Sequence, residues 1–423
     1  MLRIVDATNR RAVRALLAPA RTGDSTTERR VATIVAAVRR DGDKALLRYA
    51  RQFDPLDGPV EVTQAEMRAA TAQVPRAVRA AIRIAARNIR IVARRQVPRG
   101  WRARVAAGVA VEQRIVPLDR VGCYVPGGRY PLPSSLLMTT VPAIVAGVGE
   151  VIVVCPRPEP VVMAAAIEAG VTRMFRVGGA HAVAALAYGT RTIPRVDKIV
   201  GPGNRYVSAA KALVASDCGI DFYAGPTEIV IVSARGPAAW IAADLIAQAE
   251  HDPDARAVLI TPSRTLAARV VRDVEAQLPE DGPARDALGA HGGIIITSSV
   301  TEAMELANAA APEHLVVDDD RLAAMVRCAG SVFVGPWSAQ VAGDYALGSN
   351  HVLPTAGAAR ARGGLSAADF VRQITVQRVT EAGLRRIGDT VTTLAMAEGL
   401  LAHTASIRVR TQSASKRRRL KSR

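Results

Sequence analysis

The chain has 423 residues, 49% hydrophobic and 22% charged, with only 4% aromatic, so it is long enough for two or three domains around a substantial core. That composition excludes a disordered chain and a disulfide miniprotein. The formal charge of +18 comes from 51 Arg and 5 Lys spread over most of the length, and no aromatic-interleaved platform accompanies it, which argues against nucleic-acid binding as the main role.

In chain order, apolar residues recur at three- and four-residue spacing through VATIVAAVRR and VRAAIRIAARNIRIVARR, which predicts helices from Thr27 to Arg104. Short β-branched runs then alternate with Ala-rich helical stretches: EVIVVC with VVMAAAIEAG, RMFRVG with AHAVAALAYG, DKIVG with NRYVSAAKALV. After a break near Cys218 to Pro226 the alternation resumes with EIVIVS, RAVLIT, GGIIIT and SVFVG and their intervening helices. Such alternation predicts an α/β fold with two doubly wound, incomplete Rossmann-like parallel sheets. The boundaries expected are a helical segment over residues 1–105, α/β domains over 106–225 and 226–364, a small C-terminal segment over 365–410 and a basic tail over 411–423. In the C-terminal segment, SAADFVRQI reads as a helix, TVQRV as a strand and Glu381 to about Arg408 as a long helical stretch. Six of the last eight residues are basic, the pattern of a solvated tail.

Four cysteines, Cys123, Cys155, Cys218 and Cys328, have neither CxxC nor metal-ligand spacing, and the N-terminus lacks a secretory apolar stretch. A reducing cytoplasm is therefore expected. The uncharged run from Pro131 to Gly149 is broken by prolines and hydroxylated residues, so no membrane span is expected.

Of six histidines, His181, His251, His314, His351 and His403 stand beside Gly, Pro or acidic residues at predicted element ends; only His291 looks incidental. Gln248 and His251 close a predicted helix at i,i+3 spacing, which suits either a shared divalent cation or a polar helix terminus stopped by Pro253. Glu313 and His314 sit at a helix-to-strand junction, as two proton acceptors or as a capped loop with a surface acid. Asp344 and His351 share a glycine-bracketed loop that either turns at the surface or builds a site. Glu398 and His403 flank an apolar stretch at a spacing that does not share one helical face. Three glycine turns, at Tyr124, before His181 and before Asn204, offer free backbone N–H groups without forming G-x-G-x-x-G, so they suit either a dinucleotide or packing alone.

As an ordered set, VGCYVPGGRYPLPSSLLM, VGGAHAVAALAYGT, VDKIVGPGNRYV, AGPTEI, DLIAQAEHDPDA, APEHLVV, AGDYALGSNHVLPT, LSAADFVRQITV and EGLLAH closely resemble the histidinol dehydrogenase family over nearly the whole chain. The resemblance implies oxidation of L-histidinol through L-histidinal to L-histidine with two NAD and one Zn2+ per subunit, in the last steps of histidine biosynthesis. It puts Gln248, His251, Asp344 and His403 on the zinc ligands and Glu313 and His314 on the proton acceptors. Thr227, His351 and Glu398 then fall on substrate-side positions, and Tyr124, His181 and Asn204 on cofactor contacts. It further implies a homodimer whose C-terminal segments exchange, so that Glu398 and His403 complete the neighbouring subunit's site. His181 departs from the family's usual glutamine, which bears on cofactor affinity more than on the reaction. Two other readings are a relative acting on another small polyol, such as a sulfonated propanediol, and, from a different class, a basic nucleic-acid binder.

Overall fold

A computed structural model describes residues 2–18, 24–54, 56, 58–127, 130–223 and 225–421, with side chains described as far as Gln412. The chain divides into two compact units, the first formed by Met1–Gln96 with Leu118–Phe370 and the second by Val97–Pro117 with Val371–Arg423.

The first unit holds two six-stranded sheets. In one, the order is Glu61–Val62, Arg173–Phe175, Glu150–Val154, Arg120–Tyr124, Lys198–Val200, Gly219–Ile220, parallel except for the antiparallel pairing of Glu61–Val62. In the other, Arg3–Asp6, Gly293–Ile296, Arg256–Thr261, Glu228–Val232, His314–Val317 and Ser331–Val334 are all parallel. Each winds outward from its first βα strand and then returns on that strand's other side, the doubly wound α/β arrangement expected. The central strands are continuous β-branched runs because helices cover both faces: Val151 to Val154 and Ile229 to Val232 are all buried. The chain passes from one sheet to the other between Ile220 and Glu228, and both sheets belong to the first unit.

Helices Ser25–Asp41, Asp43–Phe53, Gln64–Gln73 and Arg76–Gln96 fill most of the predicted helical region. Gly42 separates the first two with φ +55°, which a glycine adopts without Cβ strain. Three short strands, Arg3–Asp6, Glu61–Val62 and Trp101–Ala106, interrupt the expected N-terminal helical segment. Each is set by a partner strand rather than by its own pattern, Arg3–Asp6 pairing in register with Gly293–Ile296.

The second unit carries a three-stranded antiparallel sheet, Val371–Val379 against Val109–Pro117 against Trp101–Ala106, and a helical hairpin. Here SAADFVRQI is not the expected helix. It becomes a short 3-10 turn, Ala367–Phe370, in the first unit, leading into the strand Val371–Val379, whose nine residues pair throughout with Val109–Pro117. Val371, Ile374, Thr375, Val376 and Val379 lose less in an extended chain than in a helix, and the long ladder decides the outcome. The predicted C-terminal helix is two helices, Glu381–Ala397 and Leu401–Lys421, separated where Gly399 takes φ +75°. The second helix runs into the basic segment, whose side chains from residue 413 lie outside the described residues, so the expectation of a solvated tail does too.

Candidate active site

The strand Glu228–Val232 lies beside His314–Val317, Ile229 opposite His314, so the two amino ends bring Thr227, Glu228, Glu313 and His314 together. Both Glu313 and His314 are buried. The Glu313 carboxylate accepts at Oε2 from the Thr227 hydroxyl at 2.5 Å and from the Glu228 N–H at 2.9 Å, and its Oε1 takes no part in these bonds. Burial pushes this carboxyl up to about 7, against the lowering effect of those two donors, so it sits where a proton can be taken or returned near neutral pH. His314 Nδ1 faces the Glu228 carbonyl oxygen at 3.2 Å. A carbonyl only accepts, so Nδ1 carries the hydrogen and Nε2 keeps its lone pair. Desolvation holds the His314 pKa below the usual imidazole value, which keeps the Nε2 lone pair free of a proton at neutral pH.

Gln248 ends the buried face of the helix Ala238–Ala249, and its Nε2 donates to Thr227 Oγ1 while the buried Oε1 has no hydrogen-bond partner. His251 follows that helix with Nδ1 at 3.1 Å from the Ala247 carbonyl, which again leaves Nε2 as the free nitrogen. Asp344 belongs to the helix Gln340–Tyr345, where the buried Gln340 donates to its Oδ2 at 3.0 Å. His351 Nδ1 lies 3.2 Å from the Asp344 carbonyl and its Nε2 3.4 Å from Ser135 Oγ; burial lowers its pKa. Glu313, His314 and His351 all feel the charges of Asp344 and His251, so these five titratable groups form one electrostatic neighbourhood.

Among the described residues, no three His, Cys, Asp or Glu side chains are grouped closely enough to hold a metal. The expected ligand set places only His251 and Asp344 of those types, with Gln248, in the first unit; His403, like Glu398, belongs to the exposed hairpin of the second unit. The chemistry of the three first-unit donors nonetheless suits a divalent cation, because an orphaned buried amide oxygen, an imidazole nitrogen and a carboxylate are all metal-ligand types.

On the first sheet, the three turns at carboxyl ends of strands converge. Tyr124 closes Arg120–Tyr124, and its hydroxyl oxygen accepts from the Gly179 N–H at 3.0 Å. Asn204 caps the helix Arg205–Val214 through Oδ1, accepting from the N–H groups of Tyr206 and Val207 and leaving its amide NH2 outside the cap. Gly201, ahead of it, has φ +117°, and a Cβ there would lie 2.2 Å from the Tyr124 carbonyl oxygen. The buried Lys211–Asp221 ion pair grips this turn, Lys211 donating to the Gly201 carbonyl and Asp221 accepting from its N–H. His181 is 1% exposed, with Nε2 2.9 Å from Asp54 Oδ2 and its ring beside Tyr49 and Phe53.

Tyr124, His181 and Asn204 line a cavity of about 840 Å3 with Tyr49, Phe53 and Arg157. A second cavity of about 550 Å3 is lined by Asn204, Thr227 and His251, which carries the space from the first sheet's turns to the second sheet's amino end. Neither Glu228, Gln340, Ser135, Asp54 nor the Lys211–Asp221 pair stands out in the sequence. Only the adjacency of Glu228 to Thr227 and the i,i+4 spacing of Gln340 and Asp344 could have marked any of them, because Ser135 and Asp54 reach the site through contacts distant in the chain and the Lys211–Asp221 pair depends on how the Gly201 turn folds.

A histidinol dehydrogenase family model matches residues 18–411. Over 412 residues the chain is 44% identical to the histidinol dehydrogenase of Aromatoleum aromaticum, with 94% of each chain covered. It is 46% identical over 402 residues to that of a Synechococcus species, covering 91% of this chain and 92% of the relative. The crystal structure of histidinol dehydrogenase from Elizabethkingia anophelis superposes with a TM-score of 0.93 at 32% identity, covering 98% of this chain and 99% of that one. Among the described residues no helix is long and apolar enough to cross a membrane.

Proposed function

The chain belongs to the histidinol dehydrogenase family and is an oxidoreductase of histidine biosynthesis; on that premise we propose that it oxidises L-histidinol through L-histidinal to L-histidine, using two NAD and one zinc ion per site. The observation that carries the reading is the pair of buried, differently engaged acceptors at one strand end, Glu313 and His314.

Gln248, His251 and Asp344 of one chain, with His403, are the zinc ligands. Bound zinc supplies an anchor and a Lewis acid for the imidazole and amine of the substrate, and bound NAD the hydride acceptor. The rest is done by this chain. His314, whose Nε2 is kept unprotonated by burial and turned away from the Glu228 carbonyl by the Nδ1 bond, takes the alcohol proton in the first oxidation. Glu313 then takes a proton from the water that adds to the aldehyde, its carboxylate oriented by Thr227 and the Glu228 N–H. Two successive proton removals at one carbon call for two bases. Thr227, His351 and Glu398 face the substrate. The cavity of about 840 Å3, its aromatic wall and the Asn204 amide fit a dinucleotide, so Tyr124, His181 and Asn204 are assigned to NAD.

The working unit is a homodimer in which Glu398 and His403 serve the partner's site. Supporting this, both are exposed, and their hairpin also leaves Leu394, Met396, Leu401 and Val409 uncovered at 55–72% exposure, an apolar face of the kind that subunit contacts bury. The metabolic role favours the cytoplasm. Purified protein given NAD and L-histidinol should yield two NADH per histidine. One NADH with the aldehyde as end product would remove the second oxidation, and turnover of a sulfonated propanediol in preference to L-histidinol would transfer the chain to a polyol-oxidising branch.

A further inference from the structure

The second sheet has another polar crevice, at the opposite end from Thr227, Glu313 and His314. It lies at the carboxyl ends of Glu228–Val232 and His314–Val317, where the strand order reverses and open α/β sheets commonly receive ligands. A cavity of about 360 Å3 opens there, lined by Arg235, Trp240, Ile241, Asp244, Asp318 and Trp337.

Such crevices usually take anions on free backbone donors, but here those donors are engaged. Ala234 N–H donates to Asp318 Oδ2 at 2.8 Å and Gly236 N–H to Ser233 Oγ at 2.9 Å, Pro237 has no N–H, and the Arg235 guanidinium pairs with Asp319 at 2.9 Å. One acidic side chain that lines the crevice has no partner among the described residues. Asp244, partly buried on the helix Ala238–Ala249, makes no hydrogen bond or ion pair, and burial alone pushes its carboxyl up to about 6. Beside it the Trp240 and Trp337 rings pack 5.1 Å apart, tilted by 55°, and Trp337 is 86% exposed. An unpaired carboxylate next to aromatic faces attracts a cation that is itself partly apolar, because charge pairing, cation–π attraction and apolar burial then act together. A bare metal ion would find too few oxygen ligands among these apolar walls.

We propose that this cavity binds a small organic ammonium ion, with Asp244 as its counter-charge and Trp240 and Trp337 as its aromatic wall. The site is independent of the roles given to the sheet's amino end, so an ammonium-bearing metabolite could occupy it without competing for the catalytic groups.

Calorimetric titration of the intact protein with tetramethylammonium chloride, using sodium chloride as the ionic-strength control, tests this. One saturable site per chain is expected, weakened about tenfold or more by Asp244→Asn and lost in Trp337→Ala. Both variants should retain native oxidation of L-histidinol without the probe. Should Asp244→Asn fail to fold, Trp337→Ala decides alone, since so exposed a ring is dispensable for the core. The proposal is overturned by heats matching sodium chloride, by binding unchanged in the variants, or by saturable binding of inorganic phosphate that the same variants remove. It is equally overturned if Trp337 resists acrylamide quenching, which would mean that a second copy of the chain covers it.

Discussion

The two parallel sheets wind in the same way, yet the residues with chemistry stand at opposite ends of them. On the first sheet Tyr124, His181 and Asn204 follow strands, at the carboxyl ends where glycine turns open helices. On the second, Thr227 precedes Glu228–Val232 and Glu313 precedes the backbone pairing of His314–Val317. The carboxyl end offers backbone donors and helix starts, which suit a phosphate-bearing cofactor. An amino end does something else. Consecutive residues entering a strand point to opposite faces, so Glu313 reaches the Thr227 hydroxyl and the Glu228 N–H while His314 turns to the Glu228 carbonyl. Two neighbours in sequence are thereby held separately, as the two proposed bases require.

If the ends divide the work in this way, variants should sort by kinetic parameter. The largest effects belong to the second sheet: His314→Ala and Glu313→Ala should each lower turnover of L-histidinol by about 10²–10⁴-fold with little change in the KM for NAD. His251→Ala should lose zinc and activity together, and full metal occupancy in that variant would remove His251 from the ligand set. Mixing inactive His251→Ala and His403→Ala chains should restore part of the activity after subunit exchange, because one site of the mixed dimer has every native ligand. Absence of recovery would place the whole site within one chain.

A stability measurement sharpens the same contrast. The Glu313 pKa is raised from 4.5 to about 7 by burial, so the folded chain holds a proton that the unfolded chain has already released in that window. The metal-free native protein should therefore lose stability as pH rises through that window, on the order of 3 kcal/mol in all. Glu313→Gln stays neutral, and chemical denaturation should show its advantage growing over that same range. An advantage constant with pH would mean that the carboxyl is not perturbed. The smallest effect is expected on the first sheet, where Asp54→Asn weakens the hold on His181 and should raise the KM for NAD a few-fold, at unchanged turnover. A turnover defect there would blur the division between the ends.

Much of this was legible in the sequence because it is periodic. The βα alternation gives two sheets and their boundary, and the scarcity of histidine draws attention to five of the residues placed above. What escaped depends on partners distant in the chain. Arg3–Asp6 is too short to announce itself and becomes a strand only against Gly293–Ile296. The segment Val371–Ile374 looks helical next to SAADF but joins the expected strand TVQRV in a nine-residue ladder with Val109–Pro117. The same holds at the site: the motifs mark His181, whereas Asp54, which holds it from 127 residues away, carries no local signal.

The account stands most directly on the separate duties of the two adjacent bases, and supplying L-histidinal with NAD to the two alanine variants measures them. Glu313→Ala should oxidise the aldehyde far more slowly than His314→Ala does, while His314→Ala remains the more impaired in the first oxidation, read from single-turnover NADH formation with L-histidinol. Equal losses on both substrates in both variants would contradict the division.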